Sequence, residues 1–355
     1  MKKFLTILLC VFMAFAVAAC GGNDETPAAE KTYKLGMGIV VNMDSSATGN
    51  AQVDATVATV VTDADGKIVA CRLDSAQNKM AIADGSFDKT ISFQTKMEKG
   101  DGYNMATWGA NQDNNGDGIV LEWYKQAKAF EAWTVGKTAA QIAEMPTQIL
   151  DESYGPTAGY EISADAALLA AGCTIQVGDF VDAVVKACND EQGMTFKTSK
   201  AFTLGVAAKT TAEESTETEV KMYTDFAASA VIDGKIVASL NDAIQPVITI
   251  NEYNEIVNKA FTATKRELKE DYHMAAFGQS MDWNGDGKVL EWYIQSAAFS
   301  NFVVGKTASQ VSDMATQTVP SGYVISADAD LLAAGCTIQI TGIKAVVAQS
   351  VTNAR

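Results

Sequence analysis

The chain has 355 residues, with 43 acidic against 27 basic side chains and a formal net charge of −16 at pH 7. An acidic surface repels nucleic acid and anionic lipid headgroups, and it attracts metal ions and basic partner surfaces. This balance argues against a nucleic-acid-binding function, and the length is typical of about two domains.

The N-terminus has the pattern of an exported lipoprotein. Lys2 and Lys3 precede an apolar run over residues 4–17, and small residues precede Cys20. The run is too short to span a bilayer as a helix, so residues 1–19 are predicted to be a signal peptide. The end of this segment resembles the lipobox of bacterial lipoproteins, which implies that Cys20 is the lipidated first residue at the cell membrane, facing the periplasm or the exterior. An ordinary signal peptide followed by a chance cysteine is the alternative.

The mature chain is predicted to be held at the membrane by its lipid alone. Residues 20–32 contain almost no apolar side chains, which indicates a flexible tether. Removal of residues 1–19 takes away two lysines and leaves 25 basic and 43 acidic residues, a net charge of −18. Besides Cys20, the mature chain keeps four cysteines, too few for a disulfide-built scaffold, and they are Cys71, Cys173, Cys188 and Cys336.

The sequence repeats itself in order. Four strings occur twice: Asp-Gly-Lys-Ile-Val-Ala at 65–70 and 233–238, Leu-Glu-Trp-Tyr at 121–124 and 290–293, Val-Gly-Lys-Thr at 135–138 and 304–307, and nine identical residues at 168–176 and 331–339. So long a period predicts tandem domains rather than a solenoid. The predicted boundaries are 33–188 for the first repeat, 189–201 for a linker and 202–355 for the second repeat.

The first repeat opens with three predicted strands. Residues 33–41, 52–62 and 67–73 are rich in Val and Thr or alternate apolar with polar side chains, which is typical of strands. The turn Asp-Ala-Asp-Gly at 63–66 joins the last two. The pattern predicts an antiparallel meander.

Helices are predicted in the second part of the repeat. Apolar residues recur at helical spacing over 121–133, and residues 180–187 form another helical stretch. Thr138 and Thr307 begin Thr-x-x-Gln capping boxes, each of which opens a short helix. Strands first and helices later predict an α+β fold.

One more short helix is predicted before the Gly-Cys-Thr-Ile string of each repeat. Ser163 and Ser326 are its expected N-caps. Gly172 and Gly335 are expected to end it.

A histidine-based active site present in both repeats is excluded. His273 is the only histidine, and its counterpart in the first repeat is Asn104. Hydrolases that use a histidine base need the imidazole beside a nucleophile. His273 is therefore expected at the surface, and no catalytic residue is assigned. A hydrolase built on repeated carboxylates such as Glu98 and Glu267 is the least supported function.

Two loops share the form Asp-x-Asn-x-Asp-Gly. Their candidate metal ligands are Asp113, Asn115, Asp117, Asp282, Asn284 and Asp286. Oxygen ligands at alternate positions can wrap a calcium ion, and the loops resemble the start of an EF-hand or dockerin loop. The twelfth position holds Tyr124 or Tyr293 instead of the expected bidentate Glu. A solvated turn without a metal is an equal alternative.

Three segments, taken in order, resemble the FMN-binding domain family. They are the strand pair with Asp-Gly-Lys-Ile-Val, the segment Thr-Lys-Met-Glu-Lys-Gly at 95–100, and Gly-Cys-Thr-Ile before the last helix of each repeat. The family includes flavin-carrying subunits of sodium-pumping and Rnf-type redox complexes and electron-transfer lipoproteins with tandem flavin domains. The resemblance implies an FMN cofactor and an electron carrier with redox partner proteins outside the membrane.

The resemblance also implies where a flavin would be attached. In the family, a closing Asp-x-x-Ser/Thr-Gly-Ala-Thr motif presents its threonine to a flavin transferase, which links FMN through its phosphate. Thr174 and Thr337 fall on the acceptor, and Gly172 and Gly335 fall on the glycine. Leucine, alanine and cysteine stand at the other motif positions, so noncovalent FMN is the alternative, with its phosphate at a helix start.

A second function stays open. The altered acceptor motif, the acidic surface and the paired Asp-x-Asn-x-Asp-Gly loops also fit a surface or periplasmic binding module without a redox cofactor. Bound calcium would stabilise the fold of such a module.

Overall fold

The computed structural model describes residues 29–83, 85–105, 107, 113–276 and 282–355. The predicted signal peptide, Cys20 and most of the tether lie outside these ranges, so export and lipidation stay predictions. Within the ranges described, no helix is both long and apolar enough to cross a membrane.

Each half of the chain begins with a run of strands, and the helices follow. The strands are β1 Lys31–Asn42, β2 Asn50–Thr62, β3 Ile68–Ala81, β4 Thr147–Ile149, β5 Glu161–Ser163, β6 Met194–Thr198, β7 Thr203–Thr211, β8 Glu219–Lys221, β9 Tyr223–Ile232, β10 Lys235–Ile244, β11 Val247–Ile250, β12 Ile256–Ala260, β13 Thr316–Thr318 and β14 Val324–Ser326. The α-helices are α1 Lys96–Lys99, α2 Trp123–Thr134, α3 Ala139–Ala143, α4 Ala166–Ala170, α5 Gly178–Cys188, α6 Lys265–Leu268, α7 Trp292–Phe302, α8 Ala308–Ser312, α9 Ala329–Ala333 and α10 Thr341–Thr352. Three 3-10 helices span Gly100–Tyr103, Glu152–Thr157 and Lys269–Tyr272.

The first sheet has the strand order β3-β2-β1-β6, and all neighbouring strands are antiparallel. The predicted meander is therefore confirmed. Two features differ from the prediction. Strand β3 continues to Ala81 instead of ending at residue 73, and the segment predicted as a linker contains the edge strand β6.

The second sheet has the order β10-β9-β7 and is also antiparallel. Arg355 extends it, because its backbone N–H donates to Leu204 of β7 at 3.2 Å and its carbonyl accepts from Leu204 at 3.4 Å. A small sheet β12-β11-β8 and the hairpins β4-β5 and β13-β14 lie beside the two main sheets. The mixed helix-and-strand composition and the antiparallel sheets are thus confirmed.

Both faces of the two main sheets are buried. A central core lies between them and includes Val53, Val57 and Phe226. Ala58 and Val60 of β2 point the opposite way and pack with α2, α3 and α5, while α7, α8 and α10 cover the outer face of the second sheet. Because successive strand residues point to opposite faces, burial on both faces explains the nearly continuous apolar runs in β2 and β9.

Glycines let two long helices lie directly on strand backbone. A Cβ on Gly36 of β1 would collide with the backbone oxygen of Ala187 in α5. A Cβ on Gly205 of β7 would collide in the same way with the backbone oxygen of Ser350 in α10. The C-terminal turns of α5 and α10 are therefore fixed in position relative to the sheets.

Two buried ion pairs join the halves of the chain. Arg266 Nη2 donates to both carboxylate oxygens of Asp190 at 3.1 and 3.2 Å. Arg355 Nη2 donates to both carboxylate oxygens of Glu131 at 2.8 Å. Burial raises the pKa of Glu131, and the Arg355 guanidinium opposes that shift. Each pair consequently makes the stability of one half depend on the other.

The predicted helices α2 and α5 and the capping boxes at Thr138 and Thr307 are confirmed. All four described cysteines are free thiols. Burial raises the pKa of Cys173 and of Cys336 to about 12, so these thiols stay protonated and unreactive at neutral pH.

The predicted N-caps of α4 and α9 are wrong. The caps are Asp165 and Asp328, whose carboxylates accept backbone N–H groups of the first turn. Ser163 and Ser326 end strands β5 and β14, and each hydroxyl accepts the backbone N–H of the capping aspartate at 3.0 Å. A carboxylate at this place also interacts favourably with the positive end of the helix dipole.

Candidate functional site

Each half of the chain contains one open cleft between its sheet and its helices. Cleft 1, in the first half, has a volume of about 400 Å³, and cleft 2, in the second half, has a volume of about 240 Å³. Eight pairs of identical residues line the two clefts at corresponding positions of the sequence repeats: Gln77 and Gln245, Lys96 and Lys265, Tyr103 and Tyr272, Met105 and Met274, Trp123 and Trp292, Tyr160 and Tyr323, Ile175 and Ile338, and Gln176 and Gln339.

A capping box places the lysine of each cleft. The Thr95 hydroxyl accepts from the backbone N–H of Glu98 at 3.1 Å, and the Glu98 carboxylate accepts from the backbone N–H of Thr95 at 2.8 Å. Thr264 and Glu267 form the same pair of bonds at the start of α6. The boxes fix the first turn of α1 and α6, the turn that carries the lysine.

The lysine ammonium groups lie over aromatic rings. Lys96 Nζ is 5.3 Å from the ring centroid of Tyr103 and 5.5 Å from that of Trp123. The corresponding distances of Lys265 Nζ to Tyr272 and Trp292 are 5.1 and 5.3 Å. Among the described residues, neither ammonium has an ion-pair partner within 4.0 Å. Burial lowers the pKa of Lys96 to about 8, so its charge is incompletely compensated.

An aspartate of the sheet holds each lysine-bearing helix in place. Asp74 of β3 accepts from the backbone N–H of Met97 at 3.1 Å, and Asp242 of β10 accepts from the backbone N–H of Arg266 at 3.0 Å. Burial raises the pKa of both carboxyl groups to about 6. These hydrogen bonds favour the charged form but only partly offset the cost of removing a carboxylate from water.

The repeated Leu-Glu-Trp-Tyr string builds the aromatic wall. Glu122 accepts from the backbone N–H of Met105 at 2.9 Å, and Glu291 accepts from that of Met274 at 2.8 Å. The next residue of the string, Trp123 in the first half, lines the cleft. The string therefore supplies one ring and holds the neighbouring cleft segment.

A buried glutamine fixes the Gly-Cys-Thr-Ile segment of each half. Gln126 Oε1 accepts the backbone N–H groups of Thr174 at 2.8 Å and Ile175 at 3.1 Å. Gln295 Oε1 accepts the backbone N–H of Thr337 at 2.7 Å. These bonds position the Ile-Gln pair that follows the threonine at the edge of each cleft.

The predicted flavin-attachment residues lie behind the clefts, not in them. Thr174 is 1% exposed and Thr337 is 4% exposed. Gly172 and Gly335 have φ angles of 83° and 81°, and a Cβ at either would lie 2.5 Å from a leucine methyl carbon. The glycines are thus required by the left-handed backbone and by close packing. In this conformation the threonine hydroxyls are not accessible to a transferase.

The two Asp-x-Asn-x-Asp-Gly loops are closed by their own hydrogen bonds. Asp113 accepts the backbone N–H groups of Asp117 at 3.1 Å and Gly118 at 2.9 Å. Asn115 Nδ2 donates to Asp117 Oδ2 at 3.0 Å and to the carbonyl of Leu169 at 3.2 Å. The loop formed by Asp282, Asn284 and Asp286 repeats the pattern.

This bonding accounts for the loop sequence as a turn docked against α4 in the first half and against α9 in the second. Within the described ranges, no three His, Cys, Asp or Glu side chains cluster as metal ligands. Calcium binding stays a prediction.

His273 is exposed, as predicted. Its φ angle of 57° and that of Asn104, 68°, are left-handed, and both residues follow a 3-10 helix. Asn and His tolerate this backbone better than most residues. The geometry gives His273 a turn-forming role.

The clefts combine flat aromatic walls, amide groups and a cation in water-accessible cavities, which suits binding of a small organic molecule. The sequence reasoning did not single out most of these residues. Lys96 and Lys265 follow the capping threonine at the same position of both repeats. This agreement is the sequence feature that could have identified the two lysines as site residues.

The chain matches no family model, no curated protein and no solved structure.

Proposed function

We propose that the protein is an extracytoplasmic, lipid-anchored binding protein in which each of two duplicated domains takes up a small organic ligand in its cleft. The observation that carries this proposal is the recurrence of eight cleft-lining residues at corresponding positions of the two repeats. Both halves thus surround an open cavity with the same aromatic, amide and cationic groups, which suits a ligand site.

The supporting contacts recur as well. In both halves a tyrosine hydroxyl of the cleft donates to a cleft glutamine, from Tyr103 to Gln77 at 3.2 Å and from Tyr272 to Gln245 at 3.0 Å. The ordered sequence matches and this shared bonding support an origin of the two halves by tandem duplication. The halves then present two similar sites on one anchored chain.

A thermal-shift screen of small metabolites against the mature protein tests the proposal. At a given concentration, a tighter ligand of the clefts raises Tm further. The matched control is a variant with both cleft tryptophans removed, Trp123→Ala and Trp292→Ala, which should lose the shift. Both side chains are only 3% exposed, so circular dichroism verifies that the variant folds, and the milder pair Trp123→Phe and Trp292→Phe replaces it if it does not. Ligands that shift the wild type and the double variant equally would place binding elsewhere and refute the proposal.

Noncovalent FMN is the second candidate ligand. It is favoured by the aromatic walls, by the lysine, and by the first turn of α5, which lines cleft 1 beside an N-cap residue, Val177, that makes no side-chain capping bond. A helix start of this kind offers free N–H groups to a phosphate. In such a carrier the flavin would supply the redox chemistry, while the lysine and the aromatic rings would bind and orient it.

The visible absorption spectrum of protein from its own host tests this candidate. A flavin spectrum that is released on denaturation supports noncovalent FMN, and flavin retained on the chain supports attachment at Thr174 or Thr337. A colourless protein that also ignores added FMN removes the flavin proposal.

Calcium is proposed as a stabilising ion for the Asp-x-Asn-x-Asp-Gly loops. Binding requires that calcium raise Tm and that a chelator reverse the rise. The Asp113→Asn and Asp282→Asn double variant should no longer respond. An unchanged Tm in the wild type discards the metal.

A further inference from the structure

Besides Glu161 in cleft 1 and Glu214 in cleft 2, each cleft is lined by an aspartate, and the two aspartates lie at different places in the fold. In cleft 1 it is Asp179 in the first turn of α5, whereas the corresponding residue of α10 is Gly342. In cleft 2 it is Asp225 of β9, whereas the corresponding residue of β2 is Thr56. Strand registers support this correspondence, since Thr56 lies opposite Ser75 and Asp225 lies opposite Ala243, the equivalent position.

The two carboxylates occupy corresponding space. A Cβ added to Gly342 would collide with Oδ2 of Asp225, so a side chain at residue 342 would begin where the Asp225 carboxylate lies. One half therefore places its acid on the helix and the other places it on the facing strand. The half that lacks the acid on its strand has it on its helix, and the half that lacks it on its helix has it on its strand.

Each carboxylate faces the lysine of its own cleft without bonding to it. Lys96 opposes the rise that burial causes in the pKa of Asp179, and Lys265 does the same for Asp225. Neither lysine has a carboxylate oxygen within 4.0 Å among the described residues. An acid kept only to neutralise the lysine would be expected to form a direct ion pair with it.

In each cleft the carboxylate lies at a helix start. Asp179 is in the first turn of α5, and Asp225 Oδ2 lies against Gly342 in the first turn of α10. The first N–H groups of a helix favour an anion, so these helix starts favour the charged form of the protein's own carboxylates. The lysine is therefore the positive pole of each cleft and the aspartate the negative pole, beside tryptophan and tyrosine rings.

We infer that each cleft binds a zwitterionic ligand of the amino-acid or short-peptide class, an inference that rests on the binding function proposed above. The ligand carboxylate faces the lysine, and its ammonium group faces Asp179 or Asp225. An apolar side chain packs on Trp123 or Trp292. FMN lacks a cationic group for the aspartate, so its phosphate would meet an uncompensated carboxylate.

Isothermal titration of the mature protein tests the charges of the ligand one at a time. The probes are phenylalanine, the dipeptide phenylalanyl-phenylalanine, phenethylamine, which lacks the carboxylate, and 3-phenylpropionate, which lacks the ammonium. We expect at least one of the two zwitterions to bind at least tenfold more tightly than either single-charge analogue. Equal binding of an analogue would overturn the inference.

Moving the carboxylate from the strand to the helix tests whether its position in the cleft, rather than the residue that carries it, determines ligand binding. Asp225→Thr, which introduces the residue of the other half, should abolish zwitterion binding in cleft 2. Adding Gly342→Asp should restore it, because the acid returns to the same space from the helix. Circular dichroism and Tm verify that both variants fold. Failure of the double variant to bind, while folded, would contradict a ligand-binding carboxylate.

The outcomes separate the inference from the proposed function. If the screened metabolites include a ligand that needs Trp123 and Trp292 but neither zwitterion binds, the binding function stands and the zwitterion inference fails. If no compound needs the cleft tryptophans, both fail.

Discussion

The ion pair between Arg266 and Asp190 gives the sharpest stability prediction. Both side chains are nearly buried, with 7% and 9% exposure, and the guanidinium donates to both carboxylate oxygens. The first half has Met97 at the position of Arg266, so Arg266→Met is a substitution that the fold already uses elsewhere. It would leave the Asp190 carboxylate buried without its cation.

Removal of one partner of a buried ion pair costs about 3–5 kcal/mol. Asp190 keeps two backbone donors, Met37 N–H at 3.1 Å and Gln192 N–H at 2.9 Å, so we expect the lower end, about 3 kcal/mol. Urea unfolding followed by circular dichroism measures this as a lower midpoint at similar slope.

The neighbouring ion pair between Lys269 and Glu191 is the matched control. It also joins the two halves, at 3.2 Å, but its side chains are 42% and 82% exposed. Lys269→Ala should therefore cost no more than about 1 kcal/mol. Adding Asp190→Asn to Arg266→Met should recover part of the loss, because no buried charge is then left unpaired. An Arg266→Met variant as stable as Lys269→Ala would refute the reasoning.

Three further predictions concern stability and the cleft supports. Asp74 and Asp242 have folded pKa values of about 6 against 3.8 for the ordinary group, so their contribution to stability is full below about pH 4 and is lost as pH rises through 6. The urea midpoint should fall between pH 4 and pH 7, and the Asp→Asn double variant at these positions should reduce that slope, the rest of which comes from Asp225 with its pKa of about 6; a flat wild-type profile would contradict this. Gly36→Ala should destabilise by about 1–3 kcal/mol or more, because its Cβ meets the backbone of α5, whereas Gly102→Ala, with open space around it, should cost less than 1 kcal/mol. Gln126→Leu removes the acceptor of the Thr174 and Ile175 backbone N–H groups, so it should cost about 1–3 kcal/mol and should weaken ligand binding in cleft 1 alone, as titration calorimetry would detect.

Local signals in the sequence predicted the elements that depend on local chemistry. The meander of β1, β2 and β3 followed from alternation and a turn sequence, and Thr138 with Gln141 forms the predicted capping box. The extent of β3 could not be predicted, because its second part contains Asp74 and Asn78. These polar residues are buried by tertiary contacts that no local pattern records.

The cleft could not be assembled from the sequence because its walls come from separate segments. Gln77, Lys96, Trp123, Tyr160 and Gln176 meet only when the helices dock on the sheet. The Gly-Cys-Thr-Ile motif, at which flavin attachment was predicted, lies one layer behind the cavity, where the buried Gln126 holds it. Residues that line the clefts and residues that hold them in place both recur in the two repeats. The sequence alone therefore does not separate the two groups.

Titration calorimetry with the tightest ligand of the thermal-shift screen tests the central claim most directly. Two similar clefts predict a stoichiometry of two ligands per mature chain, falling to one in Trp123→Ala and to one in Trp292→Ala. A stoichiometry that is the same in the wild type and in both variants would contradict the account.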